Sequence, residues 1–228
     1  MRCMRIVAGI VVTIVLTVGL AAALVESPAI TSQEALTRLK EGNLRFVSGT
    51  HRHAGVGLDA VRALAAGQKP YAIILTCSDS RVSPELLFDT GLGELFVVRV
   101  AGNVADPVVL GSIEYAAEHL GTPLVVVLGH ERCGAVTAAV ESKGQGDGNI
   151  GAIVQAIRPA LKKTEEAGTV AGQDRERFVE AVADAHIALV RDSLTSQSKV
   201  LQHLVAAGKL KIVTAKYRIE RGEVDILQ

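Results

Sequence analysis

The residues best suited to chemistry fall in two short runs, Cys77-Ser78-Asp79-Ser80-Arg81 and His130-Glu131-Arg132-Cys133, which begin 53 positions apart. Together they offer two thiolates, an imidazole, and a carboxylate with an arginine two residues further on. Two cysteines and one histidine form the protein shell of a catalytic zinc site that keeps its fourth position for water. His130 and Cys133, three apart at the start of an expected helix, project to the same side and can grip one ion. Cys77 must arrive from a neighbouring strand. Two thiolates cancel the formal charge of Zn²⁺, so the metal acidifies its water less than a three-imidazole shell would. Asp79 is placed to accept a hydrogen bond from the bound hydroxide, and Arg81 to keep that carboxylate ionised and aimed. Blander readings compete: a turn cap with a surface ion pair for Asp79 and Arg81, and a Cys77–Cys133 disulfide. A disulfide, however, needs neither His130 three residues from one cysteine nor Asp79 two residues from the other.

Each run follows an apolar stretch that reads as a buried strand, Tyr71 to Thr76 and Leu124 to Leu128. Both therefore sit at the carboxyl ends of strands, where open α/β sheets place their chemistry. Around them the pattern alternates. Thr31 or Ser32 with Glu34 opens an amphipathic helix carrying Ala35, Leu36, Leu39, Leu44, Phe46 and Val47, and Leu58 to Ala66 forms a second, stopped by Gly67. Pro84 to Phe88 reads as a helical turn, Gly91-Leu92-Gly93 as a turn, and Glu94 to Val100 as a strand. Asp106-Pro107 is an N-cap followed by proline at the first helical position, for a helix from Val108 to Leu120. A helix runs on from Cys133 to about Glu141, and Lys143 to Asn149 is a glycine-rich loop. Helices follow from Ile150 to Lys163 and from Asp174 to Ala207, the latter broken near Thr195 to Ser198; a strand from Leu210 to Ala215 and a short tail, Glu223 to Leu227, end the chain. Strands separated by helices imply right-handed crossovers, so the expected fold is α/β, a mostly parallel central sheet flanked by helices.

At 228 residues and 49% hydrophobic content the chain can close one substantial core. Lysine plus arginine balance aspartate plus glutamate at 24 each, which leaves no electrostatic footprint for nucleic acid; a small neutral or anionic substrate fits better. The first 25 residues stand apart: Arg2 and Arg5 precede an uncharged run from Ile6 to Val25 that ends in Ala21-Ala22-Ala23. This reads as a secretory leader with a cleavage option after Ala23, or as an uncleaved membrane anchor, followed by a single catalytic domain over 26–228. Either way the domain is expected outside the cytoplasm, periplasmic or extracellular. Cys3 has no role in this reading.

The motifs resemble those of the β-class carbonic anhydrases. The matching segments are Cys77-Ser-Asp-Ser-Arg81-Val, Gly93-Glu-Leu-Phe-Val-Val-Arg99-Val-Ala-Gly102-Asn103 and Gly129-His-Glu-Arg-Cys133-Gly134, within residues 71 to 140. The resemblance implies zinc held by Cys77, His130 and Cys133, and an Asp79–Arg81 dyad orienting a zinc-bound hydroxide that attacks carbon dioxide and leaves as bicarbonate. It also implies a homodimer or homotetramer, and in some members a closed state in which Asp79 becomes the fourth ligand. A bicarbonate site away from the metal, built in such members from a tryptophan, an arginine and a tyrosine, is represented only by Arg99 and Tyr217; Ile74 stands in place of the tryptophan, and the chain has none. Arg99 is more simply a structural ion pair, and Gly102, Asn103 and Gly134 permit tight backbone geometry. His51, His53, His119, His186 and His203 read as solvated or capping residues.

Two other functions compete: hydrolysis of a related linear molecule such as carbon disulfide at the same residues, and a zinc-stabilised binding protein that has lost turnover. The second is disfavoured because no fourth thiol or imidazole is evident near the runs. A zinc deaminase is excluded, since no His-x-Glu precedes a Pro-Cys-x-x-Cys. The leader reading predicts that N-terminal sequencing of the exported protein begins near residue 24; recovery of Met1 from a soluble fraction would contradict it.

Overall fold

A computed structural model describes residues 30–168 and 174–227. The proposed leader and Cys3 lie outside the described residues. Five strands form one sheet in the order β2-β1-β3-β4-β5. They are β1 (Ala72–Thr76), β2 (Leu95–Arg99), β3 (Leu124–His130), β4 (Lys211–Arg218) and β5 (Glu223–Ile226). The first four pair in parallel; β5 runs antiparallel to β4. Every residue of β1 and β3 is buried, as expected of parallel strands covered on both faces.

Alternation along these strands sends side chains to two separate cores. Ile74, Val126 and Leu128 point to one face and pack with Ala35, Leu36 and Leu39 of α1 (Ser32–Ser48) and with Leu87 of α3 (Pro84–Leu87). Ile73, Leu75, Val125 and Val127 point to the other, against Ile113 of α4 (Pro107–Glu114) and Ile187, Val190 and Leu194 of α7 (Arg175–Gln197). A third cluster joins α5 (Gly134–Glu141) and α6 (Gly148–Glu166) to α7 and includes Cys77 and Cys133. Also present are α2 (Leu58–Leu64), α8 (Lys199–Ala206), a 3₁₀ turn at Ala101–Asn103, and a π-helical stretch, Tyr115–His119, that continues α4.

The local signals act as expected at most boundaries. Thr31 and Glu34 form a reciprocal capping box at the head of α1. Asp106 accepts from the backbone N–H groups of Val108 and Val109, with Pro107 at the first turn. The long C-terminal helix breaks at Ser198, whose hydroxyl caps α8 by accepting from Leu201 N.

One element departs from expectation: residues 223–226, read as a tail, form β5. Four half-buried residues carry too short a pattern to announce a strand. What makes them one is tertiary. Asn43, buried on α1, donates to the carbonyls of Leu87 and Gly222 and accepts from Val224 N at 2.8 Å, fixing the hairpin against the helix.

Strand order places the chemistry. The chain leaves β1 for β2 on one side and returns to β3 on the other, so the sheet's direction of growth reverses between β1 and β3. Crevices at the carboxyl ends of strands flanking such a reversal are where open sheets bind ligands. Cys77 follows β1 and His130 closes β3.

The packing of α1 depends on a close backbone approach. A Cβ at Gly42 would lie 1.8 Å from the Phe88 carbonyl oxygen, whereas one at Gly67 would meet nothing within 4 Å. Gly42→Ala is therefore expected to cost about 1–3 kcal/mol in denaturant unfolding, with Gly67→Ala close to wild type; equal midpoints for the two variants would refute this packing.

Candidate metal centre

Parallel register carries Cys77 to the metal centre. Thr76 pairs with Leu128, and its hydroxyl donates to the Leu128 carbonyl at 2.9 Å, so Cys77 emerges from the sheet beside the end of β3. His130 ends that strand, Glu131 and Arg132 turn the chain, and Cys133 occupies the position just before α5. The ligand atoms of Cys77, His130 and Cys133 all lie within 4.8 Å of one another, and all three residues are buried. Both cysteines are free thiols, so the Cys77–Cys133 disulfide is not formed.

The imidazole supplies the sharpest test of whether a cation belongs there. His130 Nδ1 lies 2.8 Å from the Glu131 carbonyl, which fixes Nδ1 as the donor and leaves Nε2 as a bare acceptor. Among the described residues, that Nε2 is buried without a hydrogen-bond partner. Buried polar atoms are normally paired, and a lone pair aimed at two thiols fits a soft or borderline cation. The thiols are already biased to ionise in sequence. The Cys77 thiol is driven down, chiefly by the hydrogen bond it shares with Cys133 and against burial, with His130 and the Gly102 N–H adding to the effect. Cys133 is driven up because it serves as that donor and is itself desolvated.

Asp79 and Arg81 form the expected pair. Arg81 Nε and Nη2 donate to Asp79 Oδ1 and Oδ2 at 2.9 and 2.7 Å, and the backbone N–H of Arg81 adds a third bond at 3.0 Å. These bonds hold the carboxyl well below the usual carboxylate range, although burial opposes ionisation. Asp79 Oδ2 lies 4.0 Å from His130 Nε2, so the carboxylate borders the ligand cluster while engaged with Arg81.

Three neighbours of the site escaped sequence reasoning. Among the described residues of this one chain Arg99 makes no ion pair; it donates from Nε to the Cys77 carbonyl at 3.1 Å and from Nη2 to the Asp79 carbonyl at 2.7 Å, clamping the turn that carries both. His186 is neither solvated nor capping but buried in α7, where burial depresses its basicity and Nε2 bonds the Gly102 carbonyl at 2.7 Å. Gly102 does adopt a left-handed backbone, and its N–H also donates to Cys77 Sγ at 3.3 Å, a contact that cushions a thiolate. Its glycine hinted at the conformation; nothing in the sequence announced the sulfur contact. Tyr217 is buried opposite His130 in the β3–β4 register, and its carbonyl accepts from Glu131 N. A cavity of about 440 Å³ lined by Lys69, Tyr71, Glu94 and Pro123 sits at the amino ends of the strands, away from this chemistry.

An α/β protein with an open two-cysteine, one-histidine metal centre at a strand-order reversal is thus defined by fold and site. The family model described as carbonic anhydrase matches residues 72–224. Carbonic anhydrase 2 of Mycobacterium tuberculosis is 41% identical over 187 residues, covering 81% of this chain and 87% of that protein. Among solved structures, the Coccomyxa β-carbonic anhydrase in complex with acetazolamide superposes with a TM-score of 0.67 at 26% identity, over 73% of this chain and 75% of that one. A structure from Sordaria macrospora, described with two tetrameric β-carbonic anhydrases, gives 0.61 at 25% identity, over 73% and 85%. The chain belongs to the β-class carbonic anhydrase family.

The donor set predicts that purified protein holds about one zinc per chain by elemental analysis. Cys77 and Cys133 should resist a thiol reagent until a chelator is added. Fast modification of both thiols without chelation, in protein free of metal, would contradict the assignment.

Proposed function

We propose that this chain interconverts carbon dioxide and bicarbonate, with Cys77, His130 and Cys133 holding zinc and Asp79 and Arg81 orienting the nucleophile. The observation that carries this reading is the bidentate Asp79–Arg81 pair 4.0 Å from the unpaired His130 Nε2. Zinc, when bound, supplies the Lewis acidity that lets water ionise near neutral pH. The protein supplies the orientation. An ionised Asp79 only accepts hydrogen bonds, so it takes the O–H of the attacking water and turns an oxygen lone pair toward the carbon of the substrate. Arg81 fixes both carboxylate oxygens in one plane, and Arg99 fixes the peptide on which that carboxylate stands. Bicarbonate carries its own O–H, and the same acceptor can bind it until water replaces it. Five donors committed to the dyad and its turn mean little has to reorganise as charge moves.

The family assignment and the two uncommon strengths of the site, soft ligands and a prepaired carboxylate, support this reading over a binding protein. Residues 26–228 are taken as one catalytic domain. A homodimer or homotetramer is supported by the tetrameric Sordaria relatives and by large apolar side chains left exposed, among them Leu44, Leu86, Val108 and Ile150. Export rests on the apolar run from Ile6 to Val25 and on Ala21-x-Ala23. Among the described residues no helix is long and apolar enough to cross a membrane; attachment to one would run through an uncleaved N-terminal segment.

Stopped-flow hydration of carbon dioxide tests the proposal. Asp79→Asn is expected to keep its zinc and lose about 10²-fold in kcat/KM, the size of a positioned acid–base contribution, while Cys77→Ser loses zinc and activity together. Hydration at the background rate by zinc-loaded wild type would sink the enzyme reading.

A further inference from the structure

Arg132, between the two ligands of the second run, adopts a left-handed backbone with φ near 53°, which a non-glycine residue holds only when its surroundings impose it. Its exposed guanidinium pairs with Glu176 at 3.3 Å and Glu220 at 2.5 Å, contacts too solvated to impose much. The firmer hold is on the backbone. Arg132 N–H donates to Glu180 Oε1 of α7 at 2.8 Å, and Arg132 O accepts from Arg81 Nη2 at 3.3 Å. One residue therefore links α7 to the guanidinium that aims Asp79, two positions after His130 and one before Cys133.

Glu180 is itself held from below. Among the described residues its Oε2 is buried without a hydrogen-bond donor, and its charge is met by Lys216 Nζ at 2.8 Å, off the angle of a hydrogen bond. Lys216 stands on β4 opposite Gly129, the residue before His130, and its side chain is only 2% exposed. It also donates to Asp184 Oδ1 at 2.6 Å. A lysine buried to that degree is tolerated only when paired, so its contact with Oε2 holds the Glu180 side chain with Oε1 directed at the turn.

We propose that Glu180, set by Lys216, is a positioning residue for the Asp79–Arg81 dyad and for Cys133, acting through the backbone of Arg132. The inference rests on the hydration reading for its kinetic consequence and stands without it for its effect on metal retention. An acceptor on α7 fixes the direction of the Arg132 carbonyl; that carbonyl restrains Arg81, and Arg81 sets the plane of Asp79. Loss of the acceptor frees the turn while leaving the ligands and the dyad chemically intact.

The test compares zinc-loaded wild type, Glu180→Ala and Glu180→Gln by kcat and KM for carbon dioxide hydration, by the rate of zinc release to a chelating dye, and by thermal unfolding. Glutamine retains an oxygen that can accept from Arg132 N–H; alanine does not. Glu180→Ala is expected to lose about 10- to 100-fold in kcat with KM nearly unchanged, and to release zinc faster by a similar factor, as found when groups that orient metal ligands are removed. Glu180→Gln should recover both to within about threefold of wild type, a fraction of that loss. A merely structural role would lower the unfolding temperature of both variants and leave kcat and zinc release per folded molecule alone, which would overturn the proposal. It would equally be overturned if glutamine were as impaired as alanine. Should wild type itself fail to hydrate carbon dioxide, the hydration reading falls, and the contrast in zinc release between alanine and glutamine still decides the role of Glu180.

Discussion

An imidazole nitrogen with no partner among the described residues, buried beside two thiols within 4.8 Å, is a cost that an apolar protein interior does not carry without compensation. A divalent cation compensates all three groups at once, giving the lone pair an acceptor and each thiolate a countercharge. The surrounding architecture follows from keeping that trio together. Cys77 and Cys133 belong to the same apolar cluster as α5, α6 and α7, so the helices that shield the metal centre from water also bury its sulfur atoms. Low local dielectric strengthens every charge interaction at the centre and raises the cost of leaving any of these polar groups unpaired.

Around this centre the protein spends its polar contacts on backbone as much as on side chains. Arg99 grips two carbonyls, His186 a third, Glu180 an N–H, and Gly102 turns its own N–H to a sulfur. Such contacts restrict where Cys77, Asp79 and Cys133 can stand without themselves entering the reaction. They come from β2, the loop after it and α7, elements that lie on different sides of the sheet's carboxyl edge. A rigid dyad is the result: the carboxylate is ionised, doubly bridged and supported by a peptide that is itself clamped.

The motif residues were legible because metal and dyad chemistry demands particular side chains at short spacings, and short spacings survive in one dimension. Buried parallel strands were legible for a similar reason, since unbroken runs such as Ile73-Ile74-Leu75 and Val125-Val126-Val127 have few other destinations. β5 was not, because four half-buried residues gain their strand identity from Asn43, some 180 positions earlier. His186 looked like one polar residue on a long helix; only packing shows it under the Gly102 carbonyl. Lys216, in the middle of a strand, gave no sign of being buried, because its partners Glu180 and Asp184 lie on α7, outside any window that pattern reading can span.

The sequence by itself determined the candidate ligand types, the neighbouring carboxylate and arginine, and the alternation of strand and helix, since these depend on chemical identity and on periodicities of two and 3.6 residues. The tertiary structure decided that residues 53 positions apart share one crevice, through the parallel register of β1 beside β3. It decided also that Arg81 bridges the carboxylate while Arg99 clamps the backbone that carries it. Those choices turn on distances and burial, and both arise only when distant segments pack.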